Sequence, residues 1–184
     1  DLGFEKFMHI KARFNGLGPS AVVLVSTVRA IKSHGGVRFR DLDAPNEEAV
    51  EKGVANVEHL VGVVRSFGLP VVVAINRFPT DTPGEIAIAK DRIEAAGAYA
   101  AIESQVFADG GNGGVELAEA VVAASNENLS DVSYLYSEGA TIEEKVLAIA
   151  QKVYGADGVA WSAAARRRLK VFTELGWGTL PVCM

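Results

Sequence analysis

The 184-residue sequence holds one cysteine, Cys183, so no intrachain disulfide can form and a zinc site built on several cysteines is excluded. Such sparing use of cysteine suits a reducing compartment, and a cytoplasmic location is expected. Lys and Arg number 18 against 23 Asp and Glu, a formal net charge of -5. A chain that grips a phosphate backbone carries the opposite bias, so nucleic acid is not an expected partner. No apolar run approaches the roughly 18 to 20 residues of a membrane span, and the first residues lack a charged-then-apolar leader, so no membrane partner is expected either. The three histidines, His9, His34 and His59, are too scattered to build a metal site by spacing, and no metal ligand is assigned. His9 and His59 fall in predicted helices as structural or solvent-exposed residues. No internal repeat or low-complexity segment breaks the chain, and no pairing of residues suggests a catalytic nucleophile.

What is present is ample hydrophobic material: 49% of residues, against 22% charged, enough to bury a core. Phe4, Phe7, Met8 and Ile10 follow helical spacing up to the break at "NGLGP". "SAVVLVSTV" reads as a strand covered on both faces of a parallel sheet. Asn46 is a good N-cap with Glu47 and Glu48 in the first turn, and valines from Val50 to Val64 predict one amphipathic helix of about five turns, ended by Gly68 and Pro70. "LPVVVAI" repeats the buried-strand signal, Pro83 opens a helix that closes on Gly97, and "AYAAIESQVF" predicts a third strand. "ADGGNGG" reads as a glycine-rich loop leading into the helix "VELAEAVVAA". Thr141 with Glu144 signals a capped helix, and a last helix is expected from Ser162 to about Leu175, with Arg166 to Lys170 on a solvated face. Strands alternating with helices give an α/β fold, a mostly parallel sheet flanked by helices. Residues 1–125 are expected to form the sheet core with its strand-end loops and residues 126–184 a mainly helical part. The opening "DLGFEKF" and the closing "LPVCM", which reads as a strand begun and left, suggest a fragment of a longer chain.

Right-handed crossovers bring the residues after Val25, after Ile75 and around Phe107 to one sheet edge, where ligands of open α/β sheets bind. Three clusters lie there. "STVRAIKSHGG" offers Thr27, Arg29, Lys32 and His34, donors suited to a phosphate or carboxylate, or else an ordinary exposed helical turn. "AINRFPTDT" offers Asn76, Thr80 and Asp81 as hydrogen-bonding groups; Asp81 or Thr82 is expected to cap the helix at Pro83, and Phe78 either plugs the core or stacks on a planar ligand. "ADGGNGG" offers Gly110, Gly111 and Gly113 as an anion cradle, without the Lys and Ser or Thr of a P-loop, or else a plain connection.

Taken in order, "DLGFEKFMHIKARF", "VVLVSTVRAIKSHGG", "GLPVVVAINRFPTDT", "ADGGNGGVELA" and "KVYGADGV…LPVCM" resemble formate–tetrahydrofolate ligase, also called formyltetrahydrofolate synthetase. The resemblance implies a partial three-layer, P-loop-NTPase-like architecture and an ATP-dependent reaction in which formate becomes formyl phosphate and N10 of tetrahydrofolate attacks the activated carbonyl. It implies Mg²⁺ arriving with ATP, stimulation by a monovalent cation, no tightly bound cofactor, small-molecule substrates as the partners, and a homotetramer. Such chemistry rests on positioned anions and stabilised charge. By the same resemblance, Phe78 of "FPTDT" lies against the folate ring, and Phe107 stands where the family commonly has a tryptophan on the opposite side. "TVRAIKSHGG" then places Thr27, Arg29, Lys32 and His34 near the formyl-phosphate site. The P-loop of the family belongs to an amino-terminal portion not found in this sequence, so the chain alone is expected to bind folate weakly or not at all and not to make formyl phosphate. Two alternatives stand beside this one: a non-catalytic α/β scaffold or oligomerisation fragment, and an unrelated nucleotide-binding α/β domain.

Overall fold

A computed structural model describes residues 3–127 and 129–184. It divides into two compact units, one of residues 3–18 with 133–184, the other Pro19–Val132.

The larger unit is built on three parallel strands, β1 (Val22–Ser26), β2 (Val71–Asn76) and β3 (Ala100–Ser104), in the spatial order β1-β2-β3. Val22 pairs with Val71, and Val72 with Ala100. Between β1 and β2 run α2 (Val28–His34), α3 (Glu47–Gly53) and α4 (Ala55–Arg65); α5 (Pro83–Ala95) joins β2 to β3. The short α6 (Val106–Asp109) and α7 (Val115–Asn126) follow β3. Helices therefore cover both faces of a parallel sheet, the partial three-layer α/β fold that the sequence predicts.

β2 is central and buried along its whole apolar run, from Val71 to Ile75. β1 departs from expectation: Val23 and Val25 are 42% and 59% exposed. Their register partners Val72 and Ala74 lie on the face where α7 packs, with Leu117, Ala120, Val121 and Ala124 against Val72 and Ile102. α7 packs mainly on β2 and β3, and the exposure of Val23 and Val25 shows that this face of the edge strand is left largely uncovered.

The single five-turn helix expected after Asn46 is two helices that meet at Val54. Asn46 does cap the first, its side chain accepting from Ala49 N at 2.9 Å. Gly53 ends α3 where a Cβ would sit 1.9 Å from the Ile31 carbonyl oxygen of α2, so only glycine lets the two backbones approach this closely there. "ADGGNGG" is likewise not a plain loop: α6 runs into a 3₁₀ helix, Gly110–Gly114, pinned by the Gln105 N–H donating to the Gly113 carbonyl at 3.0 Å.

The other unit contains α1 (Phe4–Lys6), continued by a π-helix Phe7–Ala12, with α8 (Ile142–Lys152) and α9 (Ala163–Glu174). The expected capping box of Thr141 and Glu144 opens α8, Ser162 caps α9, and α9 buries none of its residues, so the basic run is solvated. "LPVCM" is irregular and not a strand; the buried Lys145 instead donates to the carbonyls of Gly178 and Leu180 at 2.9 and 3.0 Å. His59 is exposed on α4, whereas His9 is buried and stacked on Tyr136 with ring centroids 4.0 Å apart.

Two buried titratable groups of this unit shift in opposite senses. Glu5 is fully buried, both carboxylate oxygens lack a hydrogen-bond partner among the described residues, and burial lifts its pKa from 4.5 to about 6. His9 is pushed down from 6.5 to about 4 by burial and then by the charges of Arg13 and Lys152. A raised carboxyl favours the folded state below pH 4.5 and loses that contribution as pH rises through about 6. Glu5→Gln, which mimics the protonated form, should therefore stabilise the chain more at pH 8 than at pH 4, by about 2 kcal/mol. Denaturant unfolding at the two pH values checks this, and a pH-independent difference would contradict it.

Candidate functional site

The carboxyl ends of all three strands open on one cleft of about 530 Å³ lined by Thr27, Asn76, Arg77, Phe78, Pro79, Ser104, Val106 and Phe107. A second hollow of about 300 Å³ shares Arg77, Phe78, Pro79 and Phe107 with it. These volumes match small-molecule pockets, and the position is the strand-end edge anticipated from the sequence.

Each lining segment is fixed locally. The "FPTDT" turn is closed twice: the Asp81 N–H donates to the Phe78 carbonyl at 3.0 Å, and Asp81 Oδ2 accepts from the Phe78 N–H at 2.8 Å. Asp81 is itself buried, which raises its pKa despite the Phe78 bond and the nearby Lys32. Of the two expected caps, Thr82 does the capping, in a full capping box with Glu85. Phe78 stays 38% exposed in the cleft, so it does not plug the core, and Phe107 is fully exposed.

Glu85 ties the site to its support. Its Oε1 accepts from Lys32 Nζ and from the Asn46 N–H, each at 2.9 Å, while Oε2 accepts from the Thr82 N–H at 2.9 Å and its hydroxyl at 3.0 Å. Lys32 also donates to the Ala44 carbonyl at 3.1 Å, and both side chains are fully buried. Burial by itself would raise the Glu85 pKa, but the hydrogen bonds from Thr82, Lys32 and Asn46 outweigh it and hold the carboxyl below its ordinary value. The starts of α3 and α5 and the body of α2 are thereby locked to one carboxylate.

The four residues of "TVRAIKSHGG" separate. Thr27 lines the cleft, with its Oγ1 accepting from Ala30 N at 3.0 Å as the cap of α2. Arg29 lies over the Phe78 ring, 5.1 Å from its centroid, and pairs with Asp43 at 3.1 Å. Lys32 points into the buried pair with Glu85, and His34 borders a shallow groove with Leu24, Ile31 and Leu60, apart from the cleft. Asn76 lines the cleft, Thr80 sits 3.4 Å from Asp43 Oδ1, and Gly110, Gly111 and Gly113 lie in the 3₁₀ turn ahead of α7 outside the cleft lining.

Sequence reasoning passed over Glu85, Asp43 and Glu103. The T-x-x-E spacing of Thr82 and Glu85 was the available signal for the first. Glu103 accepts from Arg77 at 2.7 Å and from Gln105 at 3.1 Å, so the one cation lining the cleft already carries a counter-charge. What remains exposed is an aromatic and aliphatic wall with a few uncharged polar groups, an arrangement that receives a planar neutral ring better than a polyphosphate.

Comparison with known proteins agrees with the motifs. The family profile described as formate–tetrahydrofolate ligase matches residues 1–184. A curated protein named formate–tetrahydrofolate ligase, from Desulforamulus reducens, is 46% identical over 192 aligned positions that take in all of this chain and 34% of that protein. The chain thus spans about a third of the length of the curated relative it matches.

Proposed function

Because the chain belongs to the formate–tetrahydrofolate ligase family, we propose that it supplies the folate side of an ATP-dependent ligation that joins formate to tetrahydrofolate through formyl phosphate. The observation that carries this reading is the cleft itself: Phe78 and Phe107 exposed together at the strand ends, beside an Arg77 already neutralised by Glu103. The pterin ring stacks on this aromatic wall, and Asn76, with Thr80 and Asp81 of the turn that holds Phe78, supplies or organises the polar contacts at its edge.

In the same reading Thr27 and Arg29 lie toward the reacting phosphate, Lys32 acts through Glu85 as a positioning residue, and His34 stays at the border of this region. Gly110, Gly111 and Gly113 offer backbone N–H groups ahead of α7 to an anion. The parent enzyme works in the cytoplasm as a homotetramer, with Mg²⁺ entering on ATP and a monovalent cation stimulating it. No group of three His, Cys, Asp or Glu among the described residues is placed to hold a metal, so no residue is assigned to either ion. No helix among the described residues is long and apolar enough to cross a membrane.

Calorimetric titration of the chain with folic acid and, separately, with ATP tests the assignment. Saturable folic acid binding with weaker or no ATP binding is expected. Tight ATP binding without folic acid binding would overturn the folate-side reading. A second reading, an oligomerisation fragment, draws on the exposed Val23 and Val25 of β1; it is favoured if the chain self-associates and binds neither ligand.

A further inference from the structure

Phe78 lines the cleft, yet the group lying over its ring does not. Arg29 is not among the residues lining the cleft, and its guanidinium lies over the Phe78 ring within the distance at which a cation and an aromatic face attract. Arg29 is itself held by Asp43 Oδ1 at 3.1 Å, and Thr80 Oγ1, two residues beyond Phe78, stands 3.4 Å from the same oxygen. One carboxylate oxygen therefore faces both the residue lying over the ring and the turn that carries the ring.

Asp43 is solvent-exposed, but its backbone is anchored on both sides. Leu42 before it is buried, and the Ala44 carbonyl after it accepts from the buried Lys32. The chain between α2 and α3 thus delivers a carboxylate to a fixed point without burying it. Exposed ion pairs add little to stability, so this contact matters for where Arg29 points more than for whether the unit folds.

We propose that Asp43 is a positioning residue for the aromatic wall of the cleft: it holds Arg29 over the Phe78 ring and so fixes the orientation in which that ring meets a planar heterocycle. Without that counter-charge Arg29 leaves the ring, and Phe78 gains rotamers that do not present a flat face. The heterocycle being a pteridine rests on the folate-side reading; the Asp43–Arg29–Phe78 arrangement does not.

The test uses the full chain with folic acid as probe and adds a readout that needs no ligand. Asp43→Asn should weaken folic acid binding about two- to fivefold, the scale of one exposed cation–π contact, with the denaturation midpoint unchanged. Asp43→Glu should restore it, and in a Phe78→Leu background Asp43→Asn should have no further effect. By NMR, the Arg29 Nε–Hε resonance should carry the ring-current shift of Phe78 in the unsubstituted chain, lose it in Asp43→Asn and regain it in Asp43→Glu. An Arg29 signal unmoved by Asp43→Asn overturns the proposal whatever the affinities do, as does an equal affinity loss in the Phe78→Leu background. If the Arg29 signal behaves as expected but folic acid does not bind even the unsubstituted chain, the positioning role stands and the folate reading falls.

Discussion

Replacing Lys32 by Met should cost about 3–5 kcal/mol of stability, read as a lowered guanidinium midpoint at pH 7. The substitution keeps much of the side-chain volume and removes the ammonium with its charge and donors, so the loss reports chiefly what happens to Glu85. That carboxylate is fully buried 2.9 Å from Lys32 Nζ, and without the ammonium it is a buried charge with only its N–H and O–H donors left. The Ala44 carbonyl loses its donor as well. Acid should mimic the lesion. Because the folded-state pKa of Glu85 lies below its ordinary 4.5, its contribution is complete above that value and disappears as pH falls through the depressed one. A loss under about 1 kcal/mol would mean that water reaches Glu85 once Lys32 is gone, and that the pair behaves as a surface one.

Phe78→Ala should weaken folic acid binding about five- to a hundredfold, as expected for removing one stacking face worth about 1–3 kcal/mol. The fold should tolerate it, since the ring is 38% exposed and the turn is closed by backbone and Asp81 contacts that do not involve the side chain. Phe107→Ala removes a fully exposed ring and leaves one wall of the cleft in place, so it should weaken binding less. Calorimetry on both variants ranks the two faces. Equal affinity in Phe78→Ala and the unsubstituted chain would take Phe78 out of the site.

How much of this was readable beforehand depends on the kind of contact. Parallel strands, their order of appearance, the caps at Asn46, Thr141 and Ser162 and the convergence of strand ends all follow from local pattern, because each is decided within a few residues. Lys32 shows where such reasoning stops. It falls on the stripe of Val28 and Ile31, which face the core, but sequence spacing alone does not supply a buried counter-charge 53 positions away. Likewise, Val23 and Val25 look like Val71 and Val73 in the sequence. Only the fact that α7 covers β2 and β3 tells an edge strand from a central one. The need for glycine at 53 rests on how closely α3 approaches the Ile31 carbonyl of α2, a tertiary distance that sequence spacing does not supply.

The opposed shifts of Glu5 and His9 also bear on what unfolding does to solvent protons. At about pH 5 to 6 the folded chain keeps a proton on Glu5 and none on His9, and the unfolded chain has the reverse. Unfolding there relocates one proton from a carboxyl to an imidazole and exchanges almost none with buffer. These two groups therefore nearly cancel in the pH dependence of stability over that interval, so their combined contribution to a curve of stability against pH is almost flat. Each becomes visible only when the other is neutralised: Glu5→Gln leaves a slope that rises with pH, and an uncharged replacement of His9 leaves one that falls.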